Sequence, residues 1–248
     1  GVSWNSSLLP VQATAVFFFN KTLGFCSALS GKVLKTTDQG KTWTVLSTSF
    51  SGNLNDVCFI NSTTGFAVGD SSTILKTIDG GITWSVKYSN PLSVLMSLDF
   101  TDLTNGHACG TNNFLMITND GGENWLKLSN PPTGTVHQDL SFIDAFTGLV
   151  ITQQDTTSTI SRSVDGGFTW STKLTHNGKL QSIQMINNTI GYACGLGSTM
   201  YKTIDGGNTW IKEALEMTRN TEDLYSVFFP VTNFGIAVGN KSTVLKKI

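Results

Sequence analysis

Thr64-Gly-Phe-Ala-Val-Gly-Asp-Ser-Ser-Thr-Ile-Leu-Lys-Thr-Ile-Asp-Gly-Gly-Ile-Thr-Trp84 decides the fold, because the chain repeats it. Ile190-Gly-Tyr-Ala-Cys-Gly195 leads in the same way to Tyr201-Lys-Thr-Ile-Asp-Gly-Gly-Asn-Thr-Trp210. Three markers keep one register through the sequence. The first glycines of the units are Gly24, Gly65, Gly106, Gly148, Gly191 and Gly235, spaced by 41, 41, 42, 43 and 44 residues. Aspartates follow at Asp38, Asp79, Asp120, Asp165 and Asp205, and tryptophans at Trp4, Trp43, Trp84, Trp125, Trp170 and Trp210, one per unit. A fixed period of this length marks a repeat architecture.

Within a unit, short apolar runs alternate between clusters of glycine, serine, asparagine and aspartate, which is strand chemistry without a helical period. The runs Asp56–Ile60, Gly65–Val68, Thr73–Lys76 and Thr83–Val86 read as four strands. Four strands in about 40 residues, repeated radially, define a β-propeller blade. Six units therefore predict an all-β, six-bladed propeller occupying residues 1–248 as one domain. At the ends, Gly1-Val-Ser-Trp4 overlays Gly81-Ile-Thr-Trp84, and Val244-Leu-Lys-Lys-Ile248 overlays Ile74-Leu-Lys-Thr-Ile78. The expected sixth blade is residues 233–248 plus the N-terminal strand, a pairing that removes open sheet edges.

Composition bounds the function. The 248 residues carry a formal net charge of -1, only 13% are charged, and the two arginines are Arg162 and Arg219. No electrostatic footprint for a phosphate backbone exists, so nucleic acid is not expected as a partner. The longest apolar stretch, Leu8–Phe19, is interrupted by Gln12 and Thr14 and falls short of the roughly 20 residues of a spanning helix. It also lacks the basic flank of a signal peptide, so direct membrane insertion is not expected and any export signal is already removed.

Ser163-Val-Asp-Gly-Gly-Phe-Thr-Trp170 fits the Asp-box pattern S-x-D-x-G-x-T-W at every fixed position. Threonine replaces its first serine in the boxes at Asp38, Asp79 and Asp205, and Asn124 departs from the usual threonine in the box at Asp120. With G-[FY]-A-[VC]-G ahead of it, the unit resembles the repeats of the photosystem II assembly and stability factor family and its bacterial relatives. Asp-boxes also occur in sialidases, sortilin-type receptors and xyloglucan hydrolases, so the resemblance implies a scaffold and not a chemistry. It further implies boxes at the periphery, with Asp38, Asp79, Asp120, Asp165, Asp205 and the six tryptophans in structural roles. The arginine-rich patch associated with the photosynthetic factors has no counterpart here.

Candidate chemistry is sparse. A sialidase needs three clustered arginines, and Arg162 occupies a repeat position held elsewhere by Lys35, Lys76, Lys202 and Lys246, which read as solvated or box-pairing residues. Asp56, Asp99 and Asp139 sit on or beside first strands and could converge on a central channel with Ser97, Ser141, Ser182, Gln184 and Ser226. That arrangement suits a water-filled polar channel, or alternatively the carboxylate pair of a glycoside hydrolase. His107, His137 and His176 lack ligand spacing and read as surface or loop residues, so no metal and no cofactor are implied. Cys26, Cys58, Cys109 and Cys194 read as buried free thiols, with a Cys26–Cys58 bridge as the alternative.

Specificity falls to what differs between units, the loops joining second to third strands and one blade to the next. These hold Phe50, Tyr88, Pro131, Pro132, Gln153, Asp155, Met217 and Arg219, the expected contact set for a protein partner. The function expected is a non-catalytic interaction or assembly module, with a carbohydrate-active propeller that binds or cleaves a glycan as the alternative. Low charge and abundant asparagine, serine and threonine resemble secreted or surface-attached bacterial propellers exported by type IX secretion. The expected location is therefore extracytoplasmic. No sorting domain follows Ile248, which suggests a processed product or a dedicated subunit of a surface complex.

Overall fold

The computed structural model describes residues 8–215, 222–232 and 234–247. Within them the chain forms six antiparallel sheets in sequence order, spanning 13–47, 54–88, 95–127, 136–176, 180–212 and 224–247. Five sheets have four described strands and the sixth has three, and the one helical element is a single 3-10 turn at Asp70–Ser72. The second blade shows the pattern: Leu54–Phe59, Gly65–Gly69, Ile74–Thr77 and Ser85–Tyr88, each paired to its neighbour. The protein is thus a six-bladed β-propeller, as the period requires.

One detail differs from the sequence reading. The sixth blade opens at Leu224, not at residue 233, because Leu224–Val231 pairs with Phe234–Gly239 as its first strand. The N-terminal strand expected to complete that blade, with Trp4, lies outside the described residues.

Every first strand carries a bulge near its start, for example between Leu54 and Asp56, between His137 and Asp139, and between Leu180 and Ser182. A bulge inserts one residue and re-aims the side chains that follow. Bulges here precede Asp56, Asp139, Ser182 and Ser226, the residues that meet the ring interior.

Cores form between blades. Phe25 and Val33 of the first blade meet Leu54, Val57, Phe59, Ala67, Leu75 and Trp84 of the second. Equivalent clusters fill the next four junctions. Among the described residues, the same positions between the sixth and first blades are more exposed. Val16 and Phe18 are 63% and 44% exposed, whereas their counterparts Val57 and Phe59 are 2% and 4% exposed. Val238 and Val244 of the sixth blade are exposed as well. Cys26, Ala28 and Leu34 of the first blade are covered by its own Leu9, Val11, Ala13 and Trp43.

Candidate functional site

The Asp-boxes form tight, exposed turns on the rim. Asp79 accepts the Thr77 hydroxyl at 2.8 Å, the Thr83 N–H at 2.9 Å and the Thr83 hydroxyl at 2.6 Å. Gly80 and Gly81 take φ of +72° and +89°, a region costly for residues with a Cβ. Trp84 then donates its indole N–H to the Gly81 carbonyl at 3.0 Å and closes the turn. In the divergent box Asn124 replaces the threonine and donates its amide to Asp120 at 2.8 Å, so the geometry survives. The hydrogen bonds from Thr83 hold the Asp79 carboxyl down at about 2. All donors come from the box itself.

The basic residues ahead of the boxes are clamps between blades. Lys35 donates to the Gly80 carbonyl at 2.9 Å, Lys76 to Gly121 at 2.5 Å, and Arg162 through Nε to Gly206 at 2.8 Å. Each thereby satisfies a box carbonyl of the following blade. The third blade has Ile117 at this position, and there the buried His107 imidazole stacks on Phe142 of the following blade instead. His107 and His137 are buried in strands, correcting their assignment to the surface, and His176 is half-buried.

The ring interior is lined by two layers of first-strand side chains. In one, Asp56 accepts the Leu98 N–H at 3.0 Å, Asp139 the Ile183 N–H at 2.8 Å, and Ser182 the Val227 N–H at 3.4 Å. In the other, Asp99 accepts the Phe142 N–H at 2.8 Å, Ser141 the Met185 N–H at 3.0 Å, and Gln184 the Phe229 N–H at 2.5 Å. Each polar side chain thus caps a backbone N–H on the innermost strand of the next blade. Ser97 also donates to Asp139 at 2.7 Å. Thr14 and Asn55 donate to the Leu54 and Leu95 carbonyls, a role the sequence reading missed although both are the extra residues of bulges.

Asp56, Asp99 and Asp139 do converge. Desolvation, reinforced by Asp139 and Asp99, raises the Asp56 carboxyl to about 7; desolvation and Asp139 raise Asp99 to about 6. Asp139 is raised by desolvation too. All four cysteines are free, and burial pushes Cys26 to about 11 and Cys194 to about 12, far from a reactive thiolate. Among the described residues no cluster of three metal-ligating side chains occurs.

The loop face is a hydrogen-bonded collar. Asn53 N–H donates to Asp70 at 2.9 Å, the Asn112 amide to Leu92 O at 2.6 Å, and Asp223 N–H to Asn240 at 3.0 Å. Of the expected contact residues, Asp155 is exposed at the tip of the long hairpin Gly148–Gln154 and Thr157–Ser163. Phe50, Tyr88 and Pro131 are half-buried, with Phe50 and Tyr88 packed on the cores beneath them. Pro132 is buried, and buried Gln153 donates its amide to the Leu180 carbonyl at 2.6 Å. Those two are structural. Met217 and Arg219 lie outside the described residues.

Residues 35–130 match the family profile PSII_BNR, described as photosynthesis system II assembly factor YCF48. No curated protein sequence matches the chain. Among solved structures, YCF48 bound to D1 peptide superposes with a TM-score of 0.77 at 20% identity, over 98% of this chain and 81% of that one. YCF48 from Cyanidioschyzon merolae does so with a TM-score of 0.65 at 17% identity, over 99% of each chain. An ancestral GH74 enzyme gives 0.76 at 14% identity, with 97% of this chain covering 37% of the enzyme. Fold, boxes and inter-blade clamps define the class: an Asp-box, or BNR-type, β-propeller. Within that class the chain resembles the photosystem II assembly factor.

Proposed function

We propose that this propeller is a non-catalytic assembly module that binds a peptide segment of a protein partner on its loop face. The observation that carries the reading is the state of the channel. Asp56, Asp99 and Asp139, the side chains best suited to acid chemistry, each hold a backbone N–H of the next blade. A general acid or nucleophile must be free to approach a substrate atom, and these carboxylates are committed to the scaffold. Likeness to a YCF48 structure bound to D1 peptide supports the same direction. Binding sites concentrate on loops held by a rigid scaffold, and the collar at Asp70, Asn112 and Asn240 preorganises this face at low entropic cost.

The low charge and polar composition support an extracytoplasmic subunit of a larger complex. No helix among the described residues is long and apolar enough to cross a membrane. Crosslinking with mass spectrometry on native material would identify the partner segment, and its synthetic peptide provides the assay. Asp155→Lys with Tyr88→Ala should weaken peptide binding at least tenfold, whereas Ile82→Ala on the box rim should leave it unchanged. Binding lost only with the rim variant, or release of reducing ends from a glucan, would overturn the proposal.

A further inference from the structure

A cavity of about 300 Å³ opens on the outer flank of the junction between the third and fourth blades, beside Ser161 and Trp170. In each blade the third residue of the second strand pairs with one third-strand residue. That residue is Leu34, Leu75, Met116, Tyr201 or Leu245 in five blades, all large, and Ser161 in the fourth. Leu75 shares a buried cluster with Phe59, Ala67 and Trp84. The cluster of the third and fourth blades has Phe142, Val150 and Trp170 at the matching places and no apolar side chain at 161. Val150 is larger than its counterpart Ala67, yet it does not line the cavity. Across the sheet Ser161 faces Thr172, where Leu34 and Leu75 face Val45 and Val86. An apolar pair of the repeat has become a pair of hydroxyls.

The exchange uncovers an aromatic surface. Trp170 is half-buried, whereas Trp84 beside Leu75 is only 8% exposed. Its ring is held in place by the indole N–H on the Gly167 carbonyl at 2.7 Å and by edge-on contact with Phe142 at 6.2 Å. Phe168, 52% exposed at the tip of the box, flanks it. Asn130 and Pro131 of the inter-blade linker add an amide and an apolar ring to the lining. The Ser161 and Thr172 hydroxyls are 3.4 Å apart, longer than a good O–H···O bond. Most of their donor and acceptor capacity is therefore unspent. Among the described residues, no charged side chain lines the cavity.

We infer that this cavity is a binding site for an uncharged sugar, the end of a neutral glycan, with Trp170 and Phe168 as its stacking surface. A pyranose carries apolar C–H faces and a girdle of hydroxyls. The faces suit an aromatic ring, and the girdle suits groups that both donate and accept, which Ser161, Thr172 and Asn130 supply. An ionised ligand would give up hydration here without gaining a counter-charge. Sialylated and uronate sugars, phosphates and charged peptide segments are disfavoured on that ground. The volume lies at the lower end of the range for small-ligand sites, about 300–1,000 Å³, so the site takes the end of a glycan and not a long stretch of it. Because the indole is already fixed, little ordering accompanies binding. This flank is separate from the loop face proposed for the peptide, so the glycan is a second ligand.

The full chain, applied to a printed array of neutral and acidic glycans, should bind neutral ones, and calorimetry on the best of them gives an affinity. Ser161→Leu fills the cavity with the side chain that three other blades carry, and Phe168→Ala removes the exposed wall. Each should weaken binding at least tenfold while the thermal midpoint of Ser161→Leu stays level or rises. Should Ser161→Leu fail to fold, Phe168→Ala at the exposed box tip decides alone. Asp155→Lys with Tyr88→Ala on the loop face should leave glycan binding unchanged, which keeps this test independent of the peptide reading. Binding of no neutral glycan, equal binding of acidic ones, or full affinity in Phe168→Ala would overturn the inference. Decaproline bound by the wild type and lost in Ser161→Leu, with no glycan bound, would assign the cavity to a peptide and overturn it as well.

Discussion

The imidazole of His107 lies flat on the ring of Phe142, with 3.4 Å between centroids and 7° between planes. This is one of a series of ring stacks that join consecutive blades. Phe25 lies on Phe59 at 3.6 Å, Phe66 on Phe100 at 4.2 Å, and Tyr192 on Phe229 at 4.1 Å. His107 is the polar member, at a junction where the third strand carries Ile117 in place of the lysine or arginine that clamps other junctions.

Burial lowers the His107 pKa to about 4, and that of His137 to about 4 for the same reason. A depressed pKa in the folded state contributes stability that is present above the unfolded value, about 6.5, and is lost as pH falls through the folded value. His107→Phe keeps the stack and removes the proton site. Denaturant titrations from pH 7 to pH 4 should show a smaller loss of stability in the variant than in the wild type. An unchanged pH dependence would mean that His107 does not titrate on unfolding.

Asp56 gives the opposite trend. Its folded pKa of about 7 lies above the unfolded value near 3.9, chiefly through desolvation. The folded state therefore holds a proton that the unfolded chain has released, and the associated stability, complete below about pH 4, is lost as pH rises through 7. Asp56→Asn keeps an acceptor for the Leu98 N–H without a charge. The variant should lose less stability than the wild type between pH 5 and pH 8, measured by urea midpoints. A steeper loss in the variant would contradict the assignment.

Much of this architecture was readable from one unit, because glycine, aspartate and tryptophan sit where a turn or a slot demands them. The box of Asp165 and the repeated strands needed no further information. Side-chain destinations did need it. The sequence reading puts Gln153 on the loop face, yet the fourth blade's hairpin is long enough to keep Gln153 within a strand, and its amide turns to Leu180. His107 and His137 occupy the repeat positions of Phe66 and Leu54, so periodicity alone places them inside. Residue type argued for the surface and periodicity prevailed. Asp56 and Asp99 were grouped correctly, but that each serves the neighbouring blade depends on which strand lies alongside, which one unit does not contain.

Lys76 and Lys87 both reach Glu123, at 2.7 and 2.6 Å, but they differ in what else they do. Lys76 is buried and also satisfies the Gly121 carbonyl; Lys87 is more exposed and makes the ion pair at the surface. Lys76→Met leaves a buried carbonyl without its donor and should cost about 1–3 kcal/mol. Lys87→Met removes a surface pair and should cost about 0–1 kcal/mol. Paired urea denaturation at pH 7 measures both, and equal costs would show that the clamp to Gly121 contributes nothing beyond the ion pair.

The boxes make a final prediction, at the acid end. Asp38, Asp79, Asp120 and Asp205 each have a carboxyl lowered to about 2; the largest cause is a hydrogen bond from the Thr42, Thr83 or Thr209 hydroxyl, and at Asp120 from the Asn124 N–H. A lowered carboxyl pKa contributes stability that is present above the unfolded value of about 3.9 and disappears as pH falls through about 2. Because all four act in the same window, their losses accumulate and the propeller should unfold cooperatively in strong acid. Asp79→Ala removes the acceptor for Thr77 and Thr83, so its thermal midpoint should drop at pH 7 and fall less steeply than the wild type between pH 4 and pH 2. Parallel midpoints across that range would show that the Asp79 carboxylate is not linked to folding, and would leave the turn glycines and Trp84 to hold the box.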